Sequence, residues 1–372
     1  MANGEETIKK LGFGLMRLPQ QDGQIDLPQV CDMVDLFLAH GYTYFDTAWG
    51  YNDGDSEIAI GKALVQRYPR DSFQLATKLP AFFAADAASA RRMIDTSLQR
   101  TGAGYIDYYL LHNLDEFRTS LYEEYGLWDY IKELQQRGLV RHWGFSFHAQ
   151  AEHLEKLLTE HPDVEFVQLQ INYADWENVR IQSRRCYEVA RRHGKPIVIM
   201  EPVKGGLLAA PPEPVRQLLQ QADPSLSPAA WAMRFAASLD GVLTVLSGAS
   251  NLEQLQENIA TMDDFRPLDE AEWQLLAQAR QMIAELPLVP CTSCRYCVSD
   301  CPENIMIPQL LEILNVYRIY GNLRQSRGSY EWAMTTSGKA GDCLACGQCE
   351  SVCPQHLDVS EYMRELAELF EV

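Results

Sequence analysis

The chain has 372 residues, a hydrophobic fraction of 47% and a formal net charge of −19. That length accommodates one large α/β domain and a smaller one, with enough apolar residues for a sizeable core. The acidic surplus argues against nucleic acid or an anionic membrane as partner. The polar start MANGEETIKK lacks a signal-peptide core, and no apolar run approaches the ~18 residues of a membrane span, so a cytoplasmic protein is expected. Taken in chain order, LGFGLMRL opens as a strand and LPQVCDMVDLFLAHG continues as a helix with a stopping glycine. YTYFD, FQLAT, YIDYYLL, VRHWGFS, VEFVQLQI, PIVIM and GVLTVLS then read as strands, giving eight in all. Between them lie helical patterns such as DSEIAIGKALVQRY, AASARRMIDTSLQRTG, AEHLEKLLTEH, SRRCYEVARRHG and SPAAWAMRFAAS. Strand–helix alternation of this kind predicts parallel pairing, and eight units predict a (β/α)8 barrel. An open doubly wound sheet is the alternative; it is disfavoured because no G-x-G-x-x-G follows the first strand. LDEAEWQLLAQARQMIAELP supplies one more helix, and Pro287 with Pro290 marks a hinge, giving expected domains 1–285 and 286–372.

The second segment holds eight of the ten cysteines, as CTSCRYCVSDCP from Cys291 and CLACGQCESVCP from Cys343. Cysteines clustered this way fit metal binding in a reducing compartment better than disulfides. Each run has the spacing C-x2-C-x2-C-x3-C-P of bacterial two-cluster ferredoxins, in which the fourth cysteine serves the other cluster. Cys291, Cys294, Cys297 and Cys353 are thus expected to hold one [4Fe–4S] cluster, and Cys343, Cys346, Cys349 and Cys301 the other. A pair of zinc sites is the competing reading, although the x3 step and the Cys-Pro ending are not features of zinc ribbons. Cys31 and Cys186 lie on amphipathic helices and read as packing thiols.

Polar residues at the carboxyl ends of barrel strands read as catalytic. Asp46 ends YTYFD, Tyr51 follows it, Lys78 ends FQLATK and His112 ends YIDYYLLH, all on consecutive strands. Asp46 can hold Lys78 charged, and the ammonium is expected to lower the pKa of Tyr51. His112 can donate to a carbonyl oxygen, and Tyr51 can protonate it as hydride arrives at carbon. Any one of these residues could equally be an ordinary salt-bridge or packing residue; four together are harder to explain so.

FDTAWGYNDGDSEIAIGKAL resembles the aldo-keto reductase signature D-T-A-x-x-Y…S-E…G-x-x-L, and LATKLP, DYYLLH and GFS match that family's lysine, histidine and serine strands. With its tail, the chain resembles the branch that carries a C-terminal ferredoxin-type domain. The resemblance implies a catalytic tetrad of Asp46, Tyr51, Lys78 and His112, with Tyr51 the proton donor. It implies that Ser146 and Gln168 hold the nicotinamide carboxamide, that Met200 takes the place of the stacking ring, and that Gly14 and Met16 lie beside the cofactor. Gly248, Ala249, Ser250, Asn251, Gln254, Glu257 and Asn258 fall where the family binds the adenosine half. Phe147 stands where the family has asparagine. NADP(H) is the implied cofactor, with NAD(H) as the alternative because Gly248 and Gln254 stand where basic residues hold the 2′-phosphate; Lys204 or Arg234 could substitute. The expected partners are a small carbonyl or alcohol substrate and a soluble electron carrier.

Nicotinamide moves two electrons as hydride and each cluster moves one. Three readings follow: a carbonyl reductase or alcohol dehydrogenase wired to an outside carrier, the same enzyme with clusters as staples, or an electron-transfer protein whose barrel is a scaffold. The cluster domain is expected to approach the barrel mouth, and NLDEFRTSLYEEYGLW to supply another pocket wall.

Overall fold

Every run expected as a strand forms one. In the computed structural model, which describes residues 8–371 apart from 117, 180, 290, 292–295, 300, 352 and 354–356, they are β1 (Leu11–Gly14), β2 (Tyr44–Asp46), β3 (Gln74–Leu79), β4 (Ile106–Leu114), β5 (Val140–Phe147), β6 (Phe166–Gln170), β7 (Ile197–Met200) and β8 (Val242–Ser247). All pair in parallel with their sequence neighbours, and β1 closes on β8, so the sheet is a barrel without edges. The fold is therefore the expected (β/α)8 barrel. A short hairpin, Gln20–Gln21 against Gln24–Ile25, follows β1.

Tyr44, Ala76, Leu110, Phe166, Val198 and Leu246 pack together as one buried cluster contributed by six strands. The packed strands need close approaches that only glycine allows. A Cβ at Gly12 would sit 2.8 Å from Leu246 and 3.1 Å from the Tyr44 ring, and one at Gly144 would sit 2.2 Å from the carbonyl oxygen of Phe166. Tyr44 and Phe166 bring two of the strands' aromatic rings into this filling, whereas Phe13 and Phe45 pack against Phe37 of the helix Leu27–Ala39.

The helices follow the predicted faces, with local departures. The segment from Asp55 is α-helical to Ile60, then widens into a π turn over Gly61–Val65. A Cβ at Gly61 would meet the carbonyl oxygens of Arg100 and Thr101 at 2.8 Å, so two helices touch backbone to backbone there. The helix expected over AASARRMIDTSLQRTG divides into Ala87–Arg91 and Met93–Thr101. A helix over Glu213–Ala222 went unread. Of the two isolated cysteines, Cys186 is buried with its thiol 3.7 Å from the carbonyl oxygen of Ala149, whereas Cys31 is only half-buried.

The described residues form two compact units. One takes those up to Pro211 with Leu218–Arg280, the other Pro212–Gln217 with those from Gln281 onward. The second unit is helical, with longer helices over Ile307–Tyr320, Leu323–Ala333 and Val359–Phe370. Its core gathers Ile305, Ile307, Leu310, Leu314, Tyr330, Met363, Leu366 and Phe370, and Cys297 is buried among them. Among the described residues no helix is long and apolar enough to cross a membrane.

Candidate active site and cluster-binding pocket

Asp46 sits at the last register position of β2, opposite Gly14 of β1 and Ala76 of β3. Two residues further along β3, Lys78 extends into the same end of the barrel, wholly buried. Its ammonium has three donors and three acceptors: Asp46 Oδ1 at 2.7 Å, the carbonyl oxygen of Thr47 at 2.7 Å and Tyr51 Oη at 3.3 Å. Tyr51 reaches it because the next three residues, Asn52 (φ 51°), Asp53 (φ 56°) and Gly54 (φ 98°), turn back in the left-handed region that Asn, Asp and Gly tolerate best. Thus the sequence NDG is what places the phenol.

The signature Ser-Glu pair acts structurally. Ser56 Oγ donates to the carbonyl oxygen of Leu15 and bonds Thr47 Oγ1 at 2.8 Å, tying the β1 turn to the β2 loop. Buried Glu57 accepts from Thr77 Oγ1 at 2.7 Å and from Arg100 at 3.1 Å, bracing the strand that carries Lys78.

His112 projects from β4 where the pairing register with β5 shifts, between Leu111 and Leu114. Asn113 beside it has φ 60°. This bulge re-aims the end of the strand. The imidazole meets the Tyr51 ring edge-on at 6.0 Å and the Phe82 ring at 5.8 Å. All four predicted polar residues therefore meet at one end of the barrel.

Their electrostatics depart from the expectation in one respect. Burial raises the pKa of Tyr51 and outweighs the opposing pull of the Lys78 charge, so the phenol is less acidic than usual rather than more. Burial alone would lower Lys78, but Asp46 and Tyr51 together leave it raised and charged. Burial lifts Asp46 against the same ammonium. His112 is held well below its ordinary value by burial, then by Lys78, His148 and Arg118, and is therefore a neutral imidazole.

The residues expected beside a nicotinamide lie on the next strands. Ser146 and Gln168 are register partners on β5 and β6, and Gln170 pairs with Met200 on β7. Ser146 Oγ accepts from the backbone N–H of Asn113 at 2.7 Å, a contact invisible in the sequence. Gln168 Nε2 donates to Met200 Sδ at 3.5 Å, while its Oε1 is buried with no partner among the described residues. A buried, unused acceptor at this place fits the amide N–H of a carboxamide. After β7 come three consecutive left-handed residues, Lys204 (φ 49°), Gly205 (φ 64°) and Gly206 (φ 99°).

At the other end of the expected cofactor track, a Cβ at Gly14 would lie 3.4 Å from the carbonyl oxygen of Ser247, and Met16 is exposed. Gly248 and Ser250 are exposed, Ala249 buried, and Asn251 caps the helix Leu252–Asp263 by accepting from Gln254 N. Gln254 turns back to accept from Ser250 N at 2.8 Å, Asn258 donates to Ser247 Oγ at 2.7 Å, and Glu257 faces outward. The two cations expected to substitute at a 2′-phosphate are engaged elsewhere. Lys204 binds Asp175 at 2.5 Å, and Arg234 grips Glu272 through both nitrogens.

None of the rings that run from His112 is among the site residues expected from the sequence: Phe82 meets the imidazole, Phe83 packs on Phe82, and Trp49, from the loop after β2, packs on Phe83, which is 58% exposed. In the stretch expected to wall the pocket, Tyr122 and Trp128 pack into the interior instead, and the Tyr122 hydroxyl donates to the carbonyl oxygen of His112. The signal of Phe82 and Phe83 in the sequence is AFF directly after LATKLP.

In the second unit, Cys301, Cys343, Cys346 and Cys349 line one pocket with Ile305, Val359 and Met363. One cysteine of the first run thus joins three of the second. Ala345 (φ 48°) and Gly347 (φ 73°), both left-handed, flank Cys346. Ile305 N donates to Cys301 Sγ at 3.4 Å. Four thiols on one largely apolar pocket are the donor set that a [4Fe–4S] cluster takes. Cys291, Cys297 and Cys353 pack on the same core; Cys294 lies outside the described residues, as does Pro290.

Residues 10–281 match the Aldo/keto reductase family, and residues 290–357 match the 4Fe-4S dicluster domain. The NADH-specific methylglyoxal reductase of Escherichia coli is 25% identical over 69% of this chain and 90% of its own. Among solved structures, the holo form of an aldo-keto reductase from Bacillus halodurans aligns with a TM-score of 0.58 at 26% identity, covering 73% of this chain and 92% of that one. An aldo-keto reductase from Klebsiella pneumoniae in complex with NADPH shares the fold, with a TM-score of 0.60 at 22% identity over 74% of this chain and 91% of that one.

Proposed function

Because the chain belongs to the aldo-keto reductase family and carries a C-terminal 4Fe-4S dicluster domain, we propose that residues 1–285 reduce a small carbonyl compound, or oxidise the alcohol, at the Tyr51 site. A bound nicotinamide dinucleotide supplies or accepts the hydride. Ser146 and Gln168 orient its carboxamide, and Met200 backs its ring. His112, as a neutral imidazole, donates to the carbonyl oxygen and fixes its direction. Tyr51 then gives its proton to that oxygen, while Lys78 stabilises the phenolate left behind. Asp46 and the Thr47 carbonyl keep the ammonium aimed. The observation carrying this reading is the three-way clasp of Lys78 by Asp46, Thr47 and Tyr51.

A raised phenol pKa suits this role, since a donor must be protonated before it can act. In the reductive direction kcat should therefore show no bend near 6.5, because His112 is already neutral there, and should fall only above 10 as Tyr51 ionises. A pH–rate profile bending between 6 and 7 would contradict the neutral imidazole.

For the cofactor we favour NAD(H). Lys204 and Arg234 are paired internally, and Glu253 and Glu257 add negative charge along the helix that follows Gly248. The relative from Escherichia coli named as NADH-specific is in keeping with that. Residues 286–372 hold two [4Fe–4S] clusters, Cys301 crossing to the second run, and exchange single electrons with a soluble carrier in the cytoplasm. The deciding experiment mixes anaerobic, cluster-loaded protein with NADH or NADPH and a panel of carbonyls. Faster oxidation of NADH is expected, and bleaching of the iron–sulfur absorbance separates wired clusters from staples. If neither dinucleotide is oxidised with any carbonyl, the reductase reading fails.

A further inference from the structure

Arg100 lies in the last turn of the helix Met93–Thr101. That end of the helix is fixed in place, because the carbonyl oxygens of Arg100 and Thr101 are the ones that the backbone at Gly61 approaches. From there the guanidinium reaches the loop of Tyr51 on both sides of the phenol. Before it, Nη1 donates to the carbonyl oxygen of Trp49 at 2.8 Å, and Cζ stands 4.6 Å from the centre of the Trp49 ring. After it, Gly54 (φ 98°) rests on the same group. A Cβ there would fall 2.6 Å from Cζ, 2.7 Å from Nη2 and 2.8 Å from Nη1, the position of an atom over the flat face. Nη1 also donates to Glu57 Oε2 at 3.1 Å, and Glu57 Oε1 accepts from Thr77, the neighbour of Lys78 on β3. Glu57 and Thr77 are wholly buried. The loop has little hold of its own. The turn Tyr51–Gly54 carries no side-chain cap, and the phenol is the longest of the three contacts of Lys78.

We propose that Arg100 is the positioning residue of the proton donor: one guanidinium holds the loop at Trp49 and Gly54 and the lysine strand through Glu57 and Thr77, and so sets the approach of the Tyr51 hydroxyl to the Lys78 ammonium. This rests on the reductase reading above. Arg100 acts only through Tyr51 and Lys78. An arginine that merely balanced the charge of Glu57 would need that one contact, whereas its other contacts all go to residues flanking Tyr51. The planar group suits both tasks, since its edge donates while its face receives the glycine. Glycine at 54 is required twice over, by its left-handed backbone and by the guanidinium lying against it. The separation matters because the ammonium stabilises the phenolate left after proton transfer, and that attraction weakens with distance.

The test compares two variants of the intact cluster-loaded protein, assayed with NADH and the best carbonyl of a panel that includes methylglyoxal and benzaldehyde. Arg100→Lys keeps a positive charge for Glu57 but offers no flat face to Gly54. The double variant Glu57→Gln with Arg100→Gln leaves no buried charge stranded, so it tests position without the penalty that Arg100→Gln alone would carry. Both should melt close to the wild type by circular dichroism and bind NADH with the same Kd. In both, kcat should fall by about tenfold to a hundredfold, the cost of a slightly misplaced group, with KM unchanged. The alkaline fall of kcat should also move to higher pH, because a phenol further from Lys78 loses part of the charge that lowers its pKa. Full activity in Arg100→Lys would overturn the proposal and leave Arg100 as the counter-charge of Glu57. Losses of kcat that track the melting temperature, with the alkaline limb unmoved, would make it a purely structural residue. Both outcomes leave the reductase reading intact. A wild type that oxidises NADH or NADPH with no carbonyl of the panel would refute that reading, and the role of Arg100 with it.

Discussion

Tyr51→Phe is expected to cut carbonyl turnover by about 10²- to 10⁴-fold, the usual worth of a positioned general acid, while the protein stays folded and binds dinucleotide as before. The substitution is clean for a structural reason. The ring keeps its edge-on contact with His112 at 6.0 Å. Lys78 loses only its longest partner, the phenol at 3.3 Å, and retains Asp46 and the Thr47 carbonyl at 2.7 Å each. Its charge therefore stays compensated. Replacing Lys78 or Asp46 tests the same idea badly. Either change strands the other partner of a buried ion pair, which costs about 3–5 kcal/mol of stability and confounds catalysis with folding. The loss in Tyr51→Phe should appear in kcat more than in KM, because proton transfer develops in the transition state. Turnover near the wild-type value, measured with saturating dinucleotide, would remove Tyr51 from the reaction.

The pKa of Tyr51 shows where reading residues in sequence reaches its limit. The spacing of Asp46, Tyr51, Lys78 and His112 is legible, since each follows or ends a recognisable strand and consecutive parallel strands end on one face. That an ammonium lies beside the phenol follows from the same pattern. Whether burial or charge prevails depends on how much protein surrounds the hydroxyl, and burial prevails. The Asn113–Ser146 contact was hidden for a related reason. It depends on a register shift in β4, and pairing irregularities leave no mark in hydrophobic periodicity. Phe82 and Phe83 were missed because strand reading stops at LATKLP, and rings in the following loop look like packing until their exposure is known.

In the second unit, Cys301→Ala is expected to remove the same cluster as Cys346→Ala, although the two residues belong to different cysteine runs. Both line one pocket with Cys343 and Cys349, and a cubane lacking one of four thiolates is lost or degraded. Wild type should carry about eight irons per chain and either variant about four. The decisive comparison is between double variants, because ligands of one cluster act as a unit and their losses do not add. Cys301→Ala with Cys346→Ala should lose no more iron than either single change. Cys301→Ala with Cys297→Ala should lose both clusters, since Cys297 is proposed to ligate the other. Were each run to bind its own cluster, the pattern would invert, with the 301/297 pair losing one cluster and the 301/346 pair losing two. The apolar core of Ile305, Leu310, Leu314, Met363 and Phe370 gives the unit support besides its clusters, so iron and sulfide content can be read on protein that still holds its helices. Crossed ligation also bears on what the clusters do. When each run contributes to both sites, reduction or loss at one is felt by the backbone of the other, so even a cluster that serves as a wire remains a staple of the fold.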